Sequence, residues 1–236
     1  PPGQQPLRYE ASARLQNIDV ARLTGRSTGL TNMSAEISMD LQGPSLQQLT
    51  GETHFRADQL EWNDQAIRPT VLNSTWKNGR TAFNGHAELV RGSLTLEGEA
   101  NPFADIPAYR LTSRFNHLNL RRLPGMVEET DLTGQLSLSG SQYDPEQMGL
   151  DAELTLQSSR YGSYEIESGR LGARIDQETV ALDSELALQG GSFSARARLR
   201  PFDTPATYEL SDGRFRNVNL ATLTGDTTMA SRLSGS

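Results

Sequence analysis

Cysteine is absent from this sequence, which excludes disulfide bonds and thiolate metal sites while leaving the cellular compartment open. Aromatic residues make up only 6% of the chain and hydrophobic residues only 35%, so we do not expect a thick globular core. No apolar run approaches the roughly 20 residues that a membrane-spanning helix requires. The composition instead favours a thin sheet with one apolar face.

Basic residues are too dispersed to form a nucleic-acid interface, which needs Lys and Arg grouped on one face, and the chain carries a net charge of −7. The three histidines, His54, His86 and His117, lack the spacing of a metal site. The sequence has no phosphate loop, nucleophile elbow or dense calcium loop. We therefore predict a non-enzymatic protein that uses no metal and no cofactor and binds no nucleic acid.

A phrase of about 17 residues recurs three times in this chain, at intervals close to 100 residues. Its copies begin at Tyr9, Tyr109 and Tyr208 and end at Gly25, Gly125 and Gly225. A fixed period is typical of stacked units that cannot bury their apolar faces alone. We predict one continuous repetitive array, and we expect it to be an excerpt of a longer protein. The predicted copies are 9–108, 109–207 and a truncated 208–236.

Each copy of the repeated phrase begins like a strand, because apolar residues from Tyr9 to Leu15 share one parity. The alternation then stops, and a short polar residue precedes a glycine at the spacing of a capped helical turn. These capping residues are Asp19, Asn119 and Asn219. We therefore predict one short helical turn per repeat. Gly213 adds one residue to the third copy, which predicts a β-bulge. The recurring arginines, interpreted as solvated or cross-strand charges, are Arg14, Arg114 and Arg214.

Nearly every segment between the phrases alternates, as where Ile37 and Met39 are separated by Ser38. Turn signals separate these runs, and they predict antiparallel hairpins. The main signals are Asn63-Asp64, Lys77-Asn78-Gly79, Asn84-Gly85 and Gly190-Gly191. We predict an all-β meander with roughly eight strands in each repeat.

Strands with one apolar face need a cover, and the sequence has almost no helical periodicity to supply one. The sheet must therefore fold on itself or hold something apolar. Two alternatives follow from the residues alone. Either the leucines pack against one another as a closed core, or they line an open groove.

The residues resemble a known group at this point. The phrase Tyr-x-Leu, Arg, Asn-hydrophobic-Asn/Asp-Leu and Leu-x-Gly, at 208–225 and, with His117 in place of the first Asn, at 109–125, is similar to the TamB and AsmA-like family of long bacterial envelope proteins. The runs Leu-Ser-Leu-Ser-Gly at 136–140 and Leu-Thr-Leu-Glu-Gly at 94–98 are also similar to that family. The resemblance covers essentially the whole chain as a pattern, and none of its motifs is catalytic.

The resemblance implies a long antiparallel sheet curled into a U-shaped trough, the β-taco, with an apolar inner wall that shields phospholipid acyl chains. It also implies a periplasmic location, an inner-membrane anchor outside this chain, and a link to outer-membrane protein assembly with a partner barrel. The candidate groove lining is Ile37, Met39, Leu94, Leu96, Leu111, Phe115, Leu136, Leu138, Leu154, Leu156, Leu171, Ile175, Leu182, Leu186, Leu188 and Phe193.

Two other functions stay open at the level of sequence. The main alternative is a secreted repetitive β stalk or adhesin, in which the same leucines fill a closed core. A carbohydrate-active β domain is a weaker alternative. The acidic residues that suggest a glycosidase pair, Asp151, Glu153, Glu165 and Glu167, are also the polar residues expected on the outward face of strands.

Overall fold

The computed structural model describes residues 7–19, 30–62, 65–89, 91–121, 128–142, 144, 147–201, 205–218 and 233–235. In this part of the chain fifteen strands form one antiparallel sheet, so the all-β prediction is confirmed. The strands are β1 (Leu7–Ile18), β2 (Leu30–Gly43), β3 (Thr50–Trp62), β4 (Gln65–Lys77), β5 (Arg80–Leu89), β6 (Gly92–Asn101), β7 (Ala108–Leu118), β8 (Thr130–Ser141), β9 (Gly149–Leu156), β10 (Ser159–Tyr161), β11 (Tyr164–Asp176), β12 (Thr179–Leu188), β13 (Gly191–Arg200), β14 (Thr207–Val218) and β15 (Leu233–Gly235).

The chain divides into two compact units within β7, with Ser113 in the first unit and Arg114 in the second. In the first unit each strand from β1 to β6 pairs with the next one along the chain. These strands run for 10 to 14 residues. The first predicted repeat, 9–108, contains six strands where roughly eight were expected. The number is smaller because each strand is longer than the spacing of the turn signals indicated.

Two of the predicted hairpins are confirmed. Asn78 and Gly79 both have positive φ, 51° and 72°, as a type I′ turn between β4 and β5 requires. Gly190, with φ of 81°, ends the turn between β12 and β13. The turn predicted at Asn84-Gly85 is wrong, because both residues lie inside β5. The Asn63-Asp64 turn lies outside the described residues.

Gly85 has a packing role instead of a turn role. A methyl group on its α-carbon would stand 3.2 Å from the Leu72 side chain on one neighbouring strand and 3.2 Å from the Leu96 side chain on the other. The glycine thus leaves room for two leucines that flank it in the sheet. A sequence pattern cannot separate this use of Asn-Gly from a hairpin turn without the strand register.

An aromatic stack closes one end of the first unit. The rings of Trp76, at the end of β4, and Phe103, in the connection after β6, have centroids 6.0 Å apart and an interplanar angle of 26°. Stacked rings of this kind contribute about 0.5–1.5 kcal/mol beyond the area that they bury. Because Phe103 covers it, Trp76 serves the packing of the sheet end.

In the second unit β9 and β10 lie one after the other between β8 and β11. The residues between β9 and β10 are hydrogen-bonded to β8. The Gln157 backbone amide donates to the Thr133 carbonyl over 2.9 Å. The buried Ser159 hydroxyl accepts from the Thr133 amide over 3.0 Å and donates to its carbonyl over 3.2 Å. Both backbone groups of Thr133 are therefore satisfied where the strand is broken.

The repeated phrase forms a strand in each copy, namely β1, β7 and β14. The break in alternation after Leu15 is a β-bulge inside β1, since the pairing shifts between Leu15 and Ile18. In the third copy a second bulge is present at Ser211, two residues before the predicted Gly213. The predicted helical turns, at 20–25, 122–125 and 220–225, lie outside the described residues. The one short 3-10 turn that is described, Leu46–Gln48, lies outside the phrase.

Candidate functional site

The strand register of the first unit places the apolar side chains on one face of the sheet. Residues in cross-strand register share a face, because side chains alternate along each strand. One row across this apolar face runs through Ala13, Ile37, Phe55, Leu72, Gly85 and Leu96. A neighbouring row runs through Ala11, Met39, Thr53, Ser74, Phe83 and Gly98.

The second unit has the same two-faced arrangement. One row of its apolar face runs through Leu136, Leu154, Leu171, Ser184 and Ala195. A second runs through Gly134, Leu156, Gly169, Leu186, Phe193 and Phe215. A third runs through Leu138, Ala152, Ala173, Leu182 and Ala197.

Much of this apolar surface is accessible to water. Ile37 and Leu72 are each 39% exposed in the first unit, and Leu182 and Phe193 are 39% and 38% exposed in the second. Among the described residues no large side chain is fully buried. The apolar faces are therefore only partly covered by the chain itself, which leaves apolar area available to another molecule.

The sixteen predicted lining residues separate into two groups. Fourteen are exposed or half-buried. Leu156 and Phe115 are buried, at 7% and 8% exposure, so their side chains are covered by neighbouring residues and offer little contact area to another molecule. On β7 Leu111 and Phe115 have the same parity, so their side chains lie on the same face of the sheet. Arg110 has the opposite parity, and its guanidinium lies 3.8 Å from the Glu99 carboxylate.

Several residues of the apolar face are not among the predicted lining residues. Phe55 alternates with His54 and Arg56, so its parity was visible in the sequence but its partners were not. Leu72 follows Val71 directly, and only the register shows that Leu72 faces Phe55 and Val71 faces Arg56. Phe215 lies beyond the Ser211 bulge, which changes the parity of its strand.

The opposite face of each unit carries cross-strand ion pairs and is called the polar face here. Arg14 Nε donates to the Glu36 carboxylate over 2.7 Å, which confirms a cross-strand charge at this position. In the second unit Arg174 lies 2.6 Å from Asp151, and Arg170 lies 2.8 Å from Glu153. All of these side chains are largely exposed.

These pairs account for two of the four carboxylates that suggested a glycosidase site, Asp151 and Glu153. The hydrogen bond that Arg174 donates to Asp151 raises the pKa of Arg174, and the charge of Asp151 raises it further. The hydrogen bond and then the charge of Glu153 raise the pKa of Arg170 in the same way. Asp151 and Glu153 thus serve as partners of arginines on exposed strands.

Two hollows lie on the polar faces of the units. The first has a volume of about 570 Å³ and includes Arg14, Glu36, His54 and Asn73 in its lining. The second has a volume of about 800 Å³ and is lined by residues of β11 to β15. Most of the lining side chains in both hollows have the parity of the polar face. The lipid groove expected on the apolar side stays a prediction.

The described residues form no cluster of three or more side chains suited to a metal ion. Each histidine has a carboxylate neighbour: His54 lies 3.4 Å from Glu52, His86 2.8 Å from Glu88, and His117 2.7 Å from Asp131. No helix among the described residues has the length and apolar character needed to span a membrane.

Comparison with known proteins adds no relative to this description. No family model, no curated protein and no solved structure matches this chain.

Proposed function

We propose that this chain is a non-enzymatic segment of a periplasmic lipid conduit, in which the apolar faces of the sheet shelter phospholipid acyl chains between the inner and outer membranes. The observation that carries this proposal is the partial exposure of Ile37, Leu72, Leu182 and Phe193, at 38–39% each. Each methylene group removed from water contributes about 0.8 kcal/mol. Several methylenes laid along such a row would be held without any specific pocket.

The two-sided chemistry of the sheet supports this assignment. The apolar rows lie on one face, and exposed ion pairs such as Arg174–Asp151 lie on the other. A conduit through an aqueous compartment needs this combination, because its lipid side must be dry while its outer side faces water. Acyl chains lack directional groups, so they can move along rows of Leu, Ala and Phe without breaking hydrogen bonds.

The repeated phrase extends the proposal to a family. Its similarity to the TamB and AsmA-like proteins suggests that the sheet curls into a trough within a longer protein anchored in the inner membrane. On this proposal other parts of the parent protein contact an outer-membrane barrel, and the present segment contributes the lipid-bearing wall. The chain would contribute no catalytic residue to this work.

A closed structural stalk is the second candidate function. It is favoured by the burial of Leu132, Leu156 and Ile166, which are only 7–8% exposed. In a stalk the apolar faces would be filled by protein and would bind no lipid. The two candidates therefore differ in one measurable property, the presence of lipid on the folded chain.

Native mass spectrometry of the purified 236-residue chain, followed by lipid extraction, tests the proposal. We expect phospholipid to be retained in near-stoichiometric amounts. Leu138→Arg and Leu154→Arg place a charge on the apolar face and should abolish that retention, because a guanidinium in contact with acyl chains loses its hydration. Circular dichroism checks that both variants keep their β structure.

Ser137→Arg is the matched control. Ser137 is the sequence neighbour of Leu138 but faces the other side of the sheet, opposite Glu153 on β9. The new guanidinium would gain a carboxylate neighbour, and lipid retention should stay at the level of the unchanged chain. A chain that carries no lipid, together with unfolding of Leu154→Arg, would contradict the conduit and favour the stalk.

A further inference from the structure

The larger hollow on the polar face of the second unit is rich in arginine and serine. It has a volume of about 800 Å³, within the range of small-molecule sites. Its polar-face lining includes Arg170, Arg214, Arg216, Ser168, Ser192 and Ser194. These residues define what we call the arginine hollow.

The strand register brings these residues together from four neighbouring strands. Ser168, Ala187, Ser192 and Arg216 form one row across β11, β12, β13 and β14. The adjacent row consists of Arg170, Glu185, Ser194 and Arg214. The first row contains no carboxylate, and the cross-strand neighbour of Arg216 within it is Ser192.

The lining of the arginine hollow holds more basic than acidic side chains, although two of its arginines have acidic partners outside the lining. Its lining includes three arginines and one carboxylate, that of Glu185, whereas the chain carries a net charge of −7. Arg170 is engaged by Glu153 at 2.8 Å, and Arg214 lies 3.4 Å from Asp212 on its own strand. For Arg216, no ion pair with a carboxylate is present among the described residues.

The repeated phrase shows a difference at Arg214, which corresponds to Arg14 of the first copy. In the first copy Arg14 is held by Glu36, which follows Ser34 by two residues on the next strand. In the third copy the residue that follows Ser234 by two is Ser236, so the sequence supplies no carboxylate there. The sequence thus gives Arg214 no counterpart of Glu36, and Arg214 pairs instead with Asp212 on its own strand.

We propose that the arginine hollow binds a phosphate group, carried either by an anionic lipid head group or by a soluble phosphate. A guanidinium presents paired N–H donors that match two phosphate oxygens, and the serine hydroxyls add further donors. Contact with water does not abolish such binding, because charge-assisted hydrogen bonds are stronger than neutral ones. The site lies on the polar face, so it does not depend on the apolar face that carries the proposed function.

Two probes distinguish the sources of the phosphate. Inorganic phosphate is titrated into the full chain by calorimetry, and vesicles of phosphatidylcholine with or without phosphatidylglycerol are sedimented with it. Arg214→Gln combined with Arg216→Gln should weaken binding at least about tenfold for the probe that is recognised. If the double variant loses binding only to vesicles that contain phosphatidylglycerol, the phosphate belongs to a lipid head group. If it loses binding to inorganic phosphate, the ligand is a soluble phosphate.

Arg14→Gln is the matched control, because it removes one charge from the smaller hollow where Glu36 already occupies the guanidinium. It should leave both titrations unchanged. Ser192→Asp provides a second variant that adds a carboxylate opposite Arg216, and it should reduce binding without loss of the fold.

Two outcomes would overturn the phosphate site. One is that neither probe binds. The other is that binding persists in both the double variant and Ser192→Asp. Leu138→Arg should leave phosphate titration intact, so failure of the lipid conduit and failure of this site give different results.

Discussion

Asn17 and Asn217 adopt the same left-handed backbone conformation, with φ of 52° at both positions. The backbone N–H of each donates to a serine hydroxyl on the following strand. The distance is 3.1 Å from Asn17 to Ser34 and 3.0 Å from Asn217 to Ser234. His117 has the same φ and donates to the Thr133 hydroxyl over 3.3 Å. The same left-handed residue and backbone-to-hydroxyl bond therefore recur at corresponding positions of the three phrases, whereas the repetition of the whole 100-residue unit stays a prediction.

The left-handed conformation at Asn17 should make this position sensitive to side-chain shape. Asparagine tolerates positive φ better than most residues, and β-branched residues tolerate it worst. We expect Asn17→Val to lower the free energy of unfolding by about 1–2 kcal/mol and Asn17→Gly to change it by less than about 0.5 kcal/mol. Urea denaturation measures both, and equal losses would show that φ at this position does not limit stability.

The sequence predicted the strands because their alternation is regular. It did not predict the bulge after Leu15, because an extra residue in a strand and the start of a helical turn both interrupt alternation in the same way. The hydroxyl of Ser34 that fixes the bulge lies on another strand. Its role becomes visible only when the pairing of β1 with β2 is known.

The candidate sites were predictable to different degrees. The face of Leu154 follows from its parity within β9, so the apolar lining could be predicted one strand at a time. The arginine hollow depends on which residues of four strands share a row. Ser192 and Arg216 are neighbours only because of the register between β13 and β14, and no local pattern encodes that relationship.

Gly51 should not tolerate a side chain. Its φ is 143°, and an added methyl group would collide with the Asp40 carbonyl oxygen of the paired strand. We expect Gly51→Ala to cost about 2 kcal/mol or more of stability, because the obstructing atom belongs to the backbone. Gly149→Ala is the control, since its nearest neighbour would be the Ser141 hydroxyl at 3.4 Å. Similar thermal midpoints for the two variants would contradict this account.

Tyr164 should make the protein less stable at alkaline pH. Burial, and secondarily the negative charge of Glu128, raise the pKa of the Tyr164 phenol above its ordinary value of 10.0. A raised pKa in the folded state means that the contribution to stability is fully present below pH 10.0 and is lost as the pH rises through the folded value.

Urea midpoints measured between about pH 9 and pH 11 test this assignment. Tyr164→Phe cannot ionise and should flatten the alkaline loss of stability. Glu128→Gln removes only the secondary cause, so it should flatten the loss by a smaller amount. An unchanged pH profile in Tyr164→Phe would assign the alkaline transition to other groups.

Leu156 and Leu182 provide the sharpest test of an open apolar face, because they share a face but differ in burial. Leu156 is 7% exposed and Leu182 is 39% exposed. Leu156→Arg should cost more than about 3 kcal/mol, since it buries a charge that has no partner. Leu182→Arg should cost less than about 1 kcal/mol, because its guanidinium reaches water, yet it should lose bound phospholipid. Urea denaturation and lipid extraction on the same preparations separate the two effects. Unfolding of Leu182→Arg would indicate a filled core, and lipid retention by a folded Leu182→Arg would place the lipid elsewhere on the chain.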